Sequence, residues 1–280
     1  GRDEYGSWAF DYETNAEYLA EFDCGNLDLQ QLMEGLCLYV RCGEFSFAAL
    51  PNMFQHILGV TGTLDSEKLP PQMHEILQSE VKIEQFTYCP SMYHAQKRDF
   101  KPGNPAYVQR ANDVDEHYHL IVDEIDNRLT PTTEMDGQRS VIVFFQSAEE
   151  LHKFRNSSYF AKYRDKANVL TELSASRRED RDNIIKTATR QGMVTLASRM
   201  YGRGTDFKIF DDRMEKAGGM HVLQTFFSRD LSEEVQIMGR CARQGNKGSY
   251  SQVLLSASVA KDFDLTAETV QGWEPAAIYA

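Results

Sequence analysis

The sequence has no apolar run near the roughly 18 residues that a membrane-crossing helix requires, so no such helix is expected. Its opening, GRDEYGSWAF, lacks the basic start and apolar core of a signal peptide, and the leading Gly1 reads as a remnant, so a piece excised from a longer chain is expected. Cysteine is scarce and scattered, five residues at 24, 37, 42, 89 and 241 with no CxxC pair. An odd, dispersed set of this kind fits reduced thiols in a cytosolic setting. The HYH of His117–His119 has no further ligand in register, so no metal site is expected. Internal repeats and low-complexity tracts are missing too. Positive charge is in deficit: 30 lysines and arginines face 42 acidic residues, for a net charge of −12. That balance argues against a broad nucleic-acid-binding face. Finally, no Gly-Lys pair occurs anywhere, so the chain lacks the G-x-x-x-x-G-K-[ST] loop that cradles nucleotide phosphates.

What is present is enough for a substantial core. The 280 residues are 41% apolar and 26% charged, ordinary values for a globular chain of one large or two modest domains. Residues 1–58 alternate acidic loops with apolar stretches and end in SFAALPNMFQHILGVTGT, where Met53, Phe54, Ile57 and Leu58 take a helical spacing that predicts core. PQMHEILQSEVKIEQFTYCPS predicts a short helix and then a β-rich run. DFKPGNPAY, residues 99–107, carries two prolines and a glycine and reads as a linker.

Beyond it the pattern becomes rhythmic. DEHYHLIVDEIDNRL spaces Tyr118, Ile121, Val122, Ile125 and Leu129 on one helix face. RSVIVFF is a continuous β-branched run, the pattern of a strand buried on both faces. SAEELHKF opens a helix with Ser147 as N-cap and Glu150 completing a capping box, and SRREDRDNIIKTATRQG repeats this with Ser176 and Glu179, closing on Gly192. ANVLTEL, MVTLAS, GGMHVLQTF and YSQVLLS read as strands and SEEVQIMGRCAR as a helix. Such alternation means βαβ units, and so an α/β fold with a parallel sheet covered by helices on both faces, preceded by a smaller N-terminal α/β segment.

Ligands of such sheets are expected on the loops beyond the carboxyl ends of the strands. Three segments stand out: GVTGTLDSE at 59–67, ASRMYGRGTD at 197–206, and QIMGRCARQG at 236–245. Read singly, each has a plain alternative. Gly202 and Gly204 make a tight turn, Arg240 and Arg243 a solvated helix face, and Thr61–Thr63 an N-cap loop.

Together they resemble motifs III, V and VI of superfamily 2 helicase-like ATPases, and within that superfamily the wording is most similar to SecA, the preprotein-translocase motor. TGT at 61–63, GRGTD at 202–206, GGMHV at 218–222 and Q-x-x-G-R-x-x-R-Q-G at 236–245 carry the likeness in order, over roughly residues 45–258. Arg199 stands where the family usually has asparagine, Tyr201 replaces a small residue, Met238 an arginine, and Cys241-Ala242 a Ser-Gly.

The resemblance implies a RecA-like lobe, the second of two that enclose ATP. The first lobe would hold the phosphate loop and the carboxylates for Mg2+. Arg240 and Arg243 would be arginine fingers on the γ-phosphate, one helix face carrying both. Arg203, Gly204, Thr205 and Asp206 would line the cleft. Gln236 would link nucleotide to motif III, with Gly239 keeping the approach open. Thr61, Gly62 and Thr63 would couple nucleotide state to lobe movement. LIVDEID, 120–126, mimics a Walker B strand, but its spacing is helical and Asp123 follows Thr63 by 60 residues, whereas the family's acidic box precedes that motif. The expected layout is 1–58 as the tail of the first lobe or its inserted domain, 59–98 as the motif III segment, 99–107 as linker and 108–280 as the C-terminal lobe. The implied function is ATP-driven polypeptide translocation, with the first lobe and a polypeptide as partners and a membrane channel as a further one. Such a protein works in the cytoplasm or peripherally at a membrane, and the fragment alone would be inactive. The alternatives are the second lobe of an RNA or DNA helicase, which the acidic balance opposes, or a docking module on the same fold.

Overall fold

The β-branched runs form the middle of a six-stranded, all-parallel sheet in a computed structural model that describes residues 12–36, 47–60, 71–83, 85, 87, 89, 104–131, 138–172, 178–243, 245–266 and 270. The strands are β1 (Val108–Ala111), β2 (Val141–Phe145), β3 (Asn168–Leu170), β4 (Val194–Ser198), β5 (Met220–Gln224) and β6 (Gly248–Leu255), in spatial order β1-β6-β5-β2-β4-β3. Three helices come first, α1 (Tyr12–Asp23), α2 (Leu29–Gly35) and α3 (Pro71–Ser79). Six follow: α4 (Val114–Leu129), α5 (Ala148–Asn156), α6 (Arg178–Ala188), α7 (Asp212–Lys216), α8 (Leu231–Met238) and α9 (Ser256–Asp262). The chain divides into two compact units, residues 1–59 with 76–84, and residues 60–75 with 85–280. The sheet lies wholly in the second.

Parallel neighbours cannot be joined by hairpins, so each strand is followed by a crossover that covers a face. The alternation along β2 shows both faces buried. Val141, Val143 and Phe145 pack with Ile121, Ile125 and Leu129 of α4 and with Leu151 and Phe154 of α5. Ile142 and Phe144 join the opposite cluster, with Ala188 of α6 and Ile237 and Met238 of α8. All five residues of β2, β4 and β5 are buried; β2 and β4 are unbroken apolar or small-residue runs, while β5 also buries His221 and Gln224. This is a RecA-like α/β architecture.

LIVDEID lies inside α4, whose start is fixed by the Asp113 side chain accepting the Glu116 amide at 2.8 Å. Its acids serve the fold. Asp126 accepts from the Tyr163 hydroxyl and from Lys162 at 2.9 Å. Glu124 meets Arg128 at 2.8 Å, the Ser251 hydroxyl at 2.9 Å and His221 Nε2 at 3.2 Å. His221, within the GGMHV segment, is fully buried; its Nδ1 faces Ser249 Oγ at 2.8 Å and its Nε2 faces Ser251 Oγ at 3.0 Å. Arg139 donates to Ser249 at 2.5 Å. With the Nε2-protonated tautomer, assigned from these partners, the bonds run in one direction from Arg139 to Glu124, which is the arrangement a buried polar cluster needs.

Several expectations change. Met53, Phe54, Ile57 and Leu58 are exposed, Leu58 by 99%. A 3₁₀ helix containing Pro51 ends at Met53 and the chain from 54 to 60 is irregular, so the periodic spacing never becomes a face. The β-rich run has no strand at the described positions 81–83, 85, 87 and 89, and the regular elements described before residue 108 are helical. The last three residues of the expected linker form a 3₁₀ turn, Pro105–Tyr107, directly ahead of β1. That strand was not expected: VQRA is short, and its polar middle suits an edge that pairs only with β6. Ser147 caps α5 by accepting the Glu150 amide at 3.2 Å. Gly192 lies beyond the end of α6, at φ 72°. Ser176 is outside the described residues.

Burial pushes His221 down from 6.5 to about 4, against the pull of Glu124. Burial alone would raise Glu124, but the His221 and Arg128 contacts outweigh it and hold the carboxyl near 2, from 4.5. Both folded values lie below the unfolded ones, so the unfolded chain takes up protons first as pH falls. The stability this pair contributes is therefore complete above pH 6.5, declines through His221 toward pH 4, and declines further through Glu124 between 4.5 and 2. Thermal unfolding across this range should show a falling midpoint. A His221→Gln variant should lose the part of the slope between 6.5 and 4, and an unchanged slope would refute the assignment.

Candidate functional site

Helix α8 stops at Met238, before either arginine of interest. The Gly239 amide donates to Val235 O and the Arg240 amide to Ile237 O, both at 2.9 Å, and Ala242 then turns left-handed at φ 51°. A left-handed residue after a tightened last turn is a common way for a helix to end. Arg240 and Arg243 are thus carried on the turn between α8 and β6. Their shared side comes from that turn, which corrects the expectation of one helix face.

The location is also corrected. A helix linking parallel strands returns from the carboxyl end of one to the amino end of the next, so a turn past the end of α8 lies beside the amino end of β6. Thr205 and Asp206 reach the same place. β4 ends at Ser198 on the carboxyl side and a 3₁₀ turn spans Arg199–Gly202; Gly202 then lies against Ile237 and Thr205 O against Arg240, so the chain follows α8 toward its end. Of these two segments, only the 3₁₀ turn lies at the expected rim of carboxyl-end loops.

Two features set this path. A β-carbon on Gly202 would stand 2.5 Å from Ile237 Cγ1, so glycine is what lets the turn rest on α8. Gly204 takes φ 68°, a left-handed conformation that costs other residues. Upstream, Arg199 fastens the turn to the first helical turn of α8 with a two-pronged bridge: Nε to Glu233 Oε1 at 3.0 Å and Nη2 to Oε2 at 2.8 Å. The Arg199 guanidinium also lies 5.5 Å from the Phe226 ring centre, a cation–π distance. The sequence predicts only a helix over SEEVQIMGRCAR and does not reveal this pair; an arginine in the asparagine position was the available signal.

The patch itself is built from contacts between the two motifs. Arg240 donates from Nε to Gln236 O at 2.9 Å and from Nη1 to Thr205 O. Arg243 Nη1 meets Asp206 Oδ1 at 2.5 Å, and Lys208 Nζ stands 3.5 Å from Asp206 Oδ2. Burial lowers the Arg240 pKa and the charge of Arg243 lowers it further, while Asp206 opposes both; it stays a cation at neutral pH. Thr205 is buried, and Arg203 is exposed beside Gly204. Thr205, Asp206, Gln236, Arg240 and Arg243 are therefore joined by direct contacts, with Arg203, Gly204 and Gly239 as their neighbours in the chain. Thr61, Gly62 and Thr63 are outside the described residues.

Gly202→Ala should force the turn away from α8. Overpacking of this kind costs about 1–3 kcal/mol, a drop of several degrees in the unfolding midpoint for a unit of this size. Trimming the obstructing side chain, as Gly202→Ala with Ile237→Ala, should recover part of the loss relative to the sum of the single changes. Strict additivity would show that the two residues do not meet.

No family model matches the chain. It is 44% identical over 82 residues to protein translocase subunit SecA 2 of Rhodopirellula baltica, which is 29% of this chain and 12% of that protein. It is 35% identical over 103 residues to SecA 3 of Magnetococcus marinus, covering 36% of this chain and 16% of the relative. The match to SecA 2 of Listeria innocua is longer, 27% identical over 206 residues, or 73% of this chain and 23% of that protein. The chain thus spans less than a quarter of the length of these relatives. Among solved structures, Mss116p DEAD-box helicase domain 2 bound to an RNA duplex matches 53% of this chain at 17% identity with a TM-score of 0.40. E. coli DEAD-box protein SrmB matches 55% at 19% identity with a TM-score of 0.37. Over these stretches the chain is similar in sequence to SecA 2 and SecA 3 translocase subunits.

Proposed function

We propose that residues 108–280 act as the C-terminal motor lobe of a SecA-like ATPase, with Arg240 and Arg243 completing a nucleotide site begun on another lobe. The single observation that carries this is the meeting of Thr205 and Asp206 with Arg240 and Arg243. Two segments 34 to 38 residues apart in sequence, as counted from 205–206 to 240–243, supply one surface with paired guanidinium groups.

The donor set suits a polyphosphate. Each guanidinium carries five N–H groups, more than the bonds to Gln236, Thr205 and Asp206 occupy. Planar and permanently charged, these groups can bind phosphoryl oxygens in pairs and stabilise charge that builds on them in the transition state. ATP, when bound, supplies the phosphoryl group whose transfer to water is the reaction. Arg240, braced by two carbonyls, orients; Arg243 neutralises. Asp206 faces Arg243 and Lys208, so Mg2+ is assigned to the other lobe and not to this patch. Thr61–Thr63, in the segment 59–98, couple the nucleotide to lobe movement, and the work done is movement of a polypeptide, in the cytoplasm or at a membrane channel.

Since catalysis needs groups pre-positioned from both sides, the 280-residue chain alone should bind nucleotide weakly and not hydrolyse it. In a protein that also carries the phosphate-loop lobe, Arg240→Ala and Arg243→Ala should each lower kcat by about 10³ or more with nucleotide affinity largely kept. Unchanged hydrolysis in both variants removes the finger assignment. Strong stimulation by RNA or DNA that fades with salt would move the reading to a helicase.

A further inference from the structure

The two arginines are restrained in different ways. Arg240 is half-buried and its partners are backbone carbonyls, Gln236 O and Thr205 O. Those partners are fixed by helix α8 and by the irregular segment after Gly204, carry no net charge, and leave the remaining N–H groups oriented. Arg243 is instead joined to a side chain, with the Asp206 carboxylate at 2.5 Å and the two side chains 37% and 43% exposed. A carboxylate occupies the same guanidinium edge that a phosphate would use. The second Asp206 oxygen already has Lys208 Nζ at 3.5 Å, so Asp206 has a cation to turn to when Arg243 leaves.

Resting on the proposed polyphosphate site, we infer that Asp206 is a competing internal ligand that parks Arg243, making Arg240 the preset contact and Arg243 one recruited only by exchange of carboxylate for phosphate. Asp206 is therefore a positioning residue acting through Arg243, with Lys208 as the cation that receives it. The exchange conserves the number of charge-paired groups: Arg243 passes from carboxylate to phosphate while Asp206 passes to lysine. The latch is partly exposed and hence weak, on the scale of a surface ion pair. A polyanion can open it, and its removal produces a modest change.

The test is a double-mutant cycle on the 280-residue chain with inorganic tripolyphosphate as the probe, binding measured by calorimetry. Asp206→Asn should tighten binding by about two- to fivefold, as release of an exposed pair allows. Arg243→Ala should weaken it, and adding Asp206→Asn to Arg243→Ala should bring no further gain. Asp206→Glu should keep affinity close to that of the unaltered chain, because it retains the competing carboxylate. In parallel, the Asp206 carboxyl carbon resonance should move as tripolyphosphate is added to the unaltered chain and should not move in Arg243→Ala. An equal gain from Asp206→Asn with and without Arg243 would mean general relief of repulsion and would overturn the latch. So would no gain at all while Arg243→Ala still loses affinity, a result that leaves the polyphosphate site standing. If instead neither Arg240→Ala nor Arg243→Ala affects binding, or no variant binds, the polyphosphate site itself fails and the latch with it.

Discussion

The seating of the Arg199–Gly202 turn on helix Leu231–Met238 is the constraint from which the rest of the candidate site follows. It is a short-range fit: one missing β-carbon at Gly202 against Ile237, and one doubly bonded ion pair, Arg199 with Glu233, at the other end of the same contact. The helix is itself anchored in the sheet by Ile237 and Met238, which pack into the cluster that holds Ile142, Phe144 and Val222. Position therefore passes from sheet to helix to turn, and then to the Thr205 carbonyl and the Asp206 carboxylate. Loosening the first contact would leave the arginines in place but remove what faces them.

Polar groups inside the sheet play a different part. His221, Ser249, Ser251 and Glu124 tie β5 and β6 to α4 on the face away from the candidate site. On the other face Gln252 donates to the Tyr250 hydroxyl at 2.7 Å and Tyr250 to Gln224 at 3.0 Å, while Gln224 donates to Phe226 O and Ser228 at 2.8 and 3.0 Å. These bonds fix the register of two neighbouring strands and the exit of the chain from β5 toward α8. A network satisfied end to end specifies one arrangement where interchangeable apolar packing would allow several.

Much of this was legible in the sequence because the physics is local. VIVFF is a strand because its unbroken β-branched and aromatic run is buried on both faces, MVTLAS is a second such run of apolar and small residues, and LIVDEID is helical because its apolar residues recur at the helical period and Asp113 caps the start. The gathering of 203–206 with 236–243 was legible only through the family likeness. What escaped depends on tertiary partners. β1 exists as VQRA because β6 offers a free edge, and Arg199 finds Glu233 across 34 residues of chain. The apolar stripe at 53–58 misled because periodicity describes a face only if the backbone closes the turns, and Pro51 with Gly59 frames a segment that does not. The placement of Arg240 and Arg243 was misjudged by one turn of helix for a similar reason: Gly239 and the left-handed Ala242 end α8 early, a choice made by the close start of β6 rather than by propensity.

That one-turn displacement bears on the chemistry. Phosphates commonly dock at helix N-termini, where amide groups point outward and the helix dipole is positive. Here the candidate surface is at a C-terminus, where unpaired carbonyls concentrate about half a negative charge in a chain whose net charge is already −12. An anion would be repelled from such a place unless the carbonyls were covered. The Gly239 and Arg240 amides take Val235 O and Ile237 O, and the Arg240 side chain takes Gln236 O with its Nε while adding its positive charge. Two rigid cations within four residues therefore reverse the sign of a helix end. The reversal stays local, so the proposed site for anionic oxygens would be small and directional, without the broad basic field that would attract nucleic acid indiscriminately.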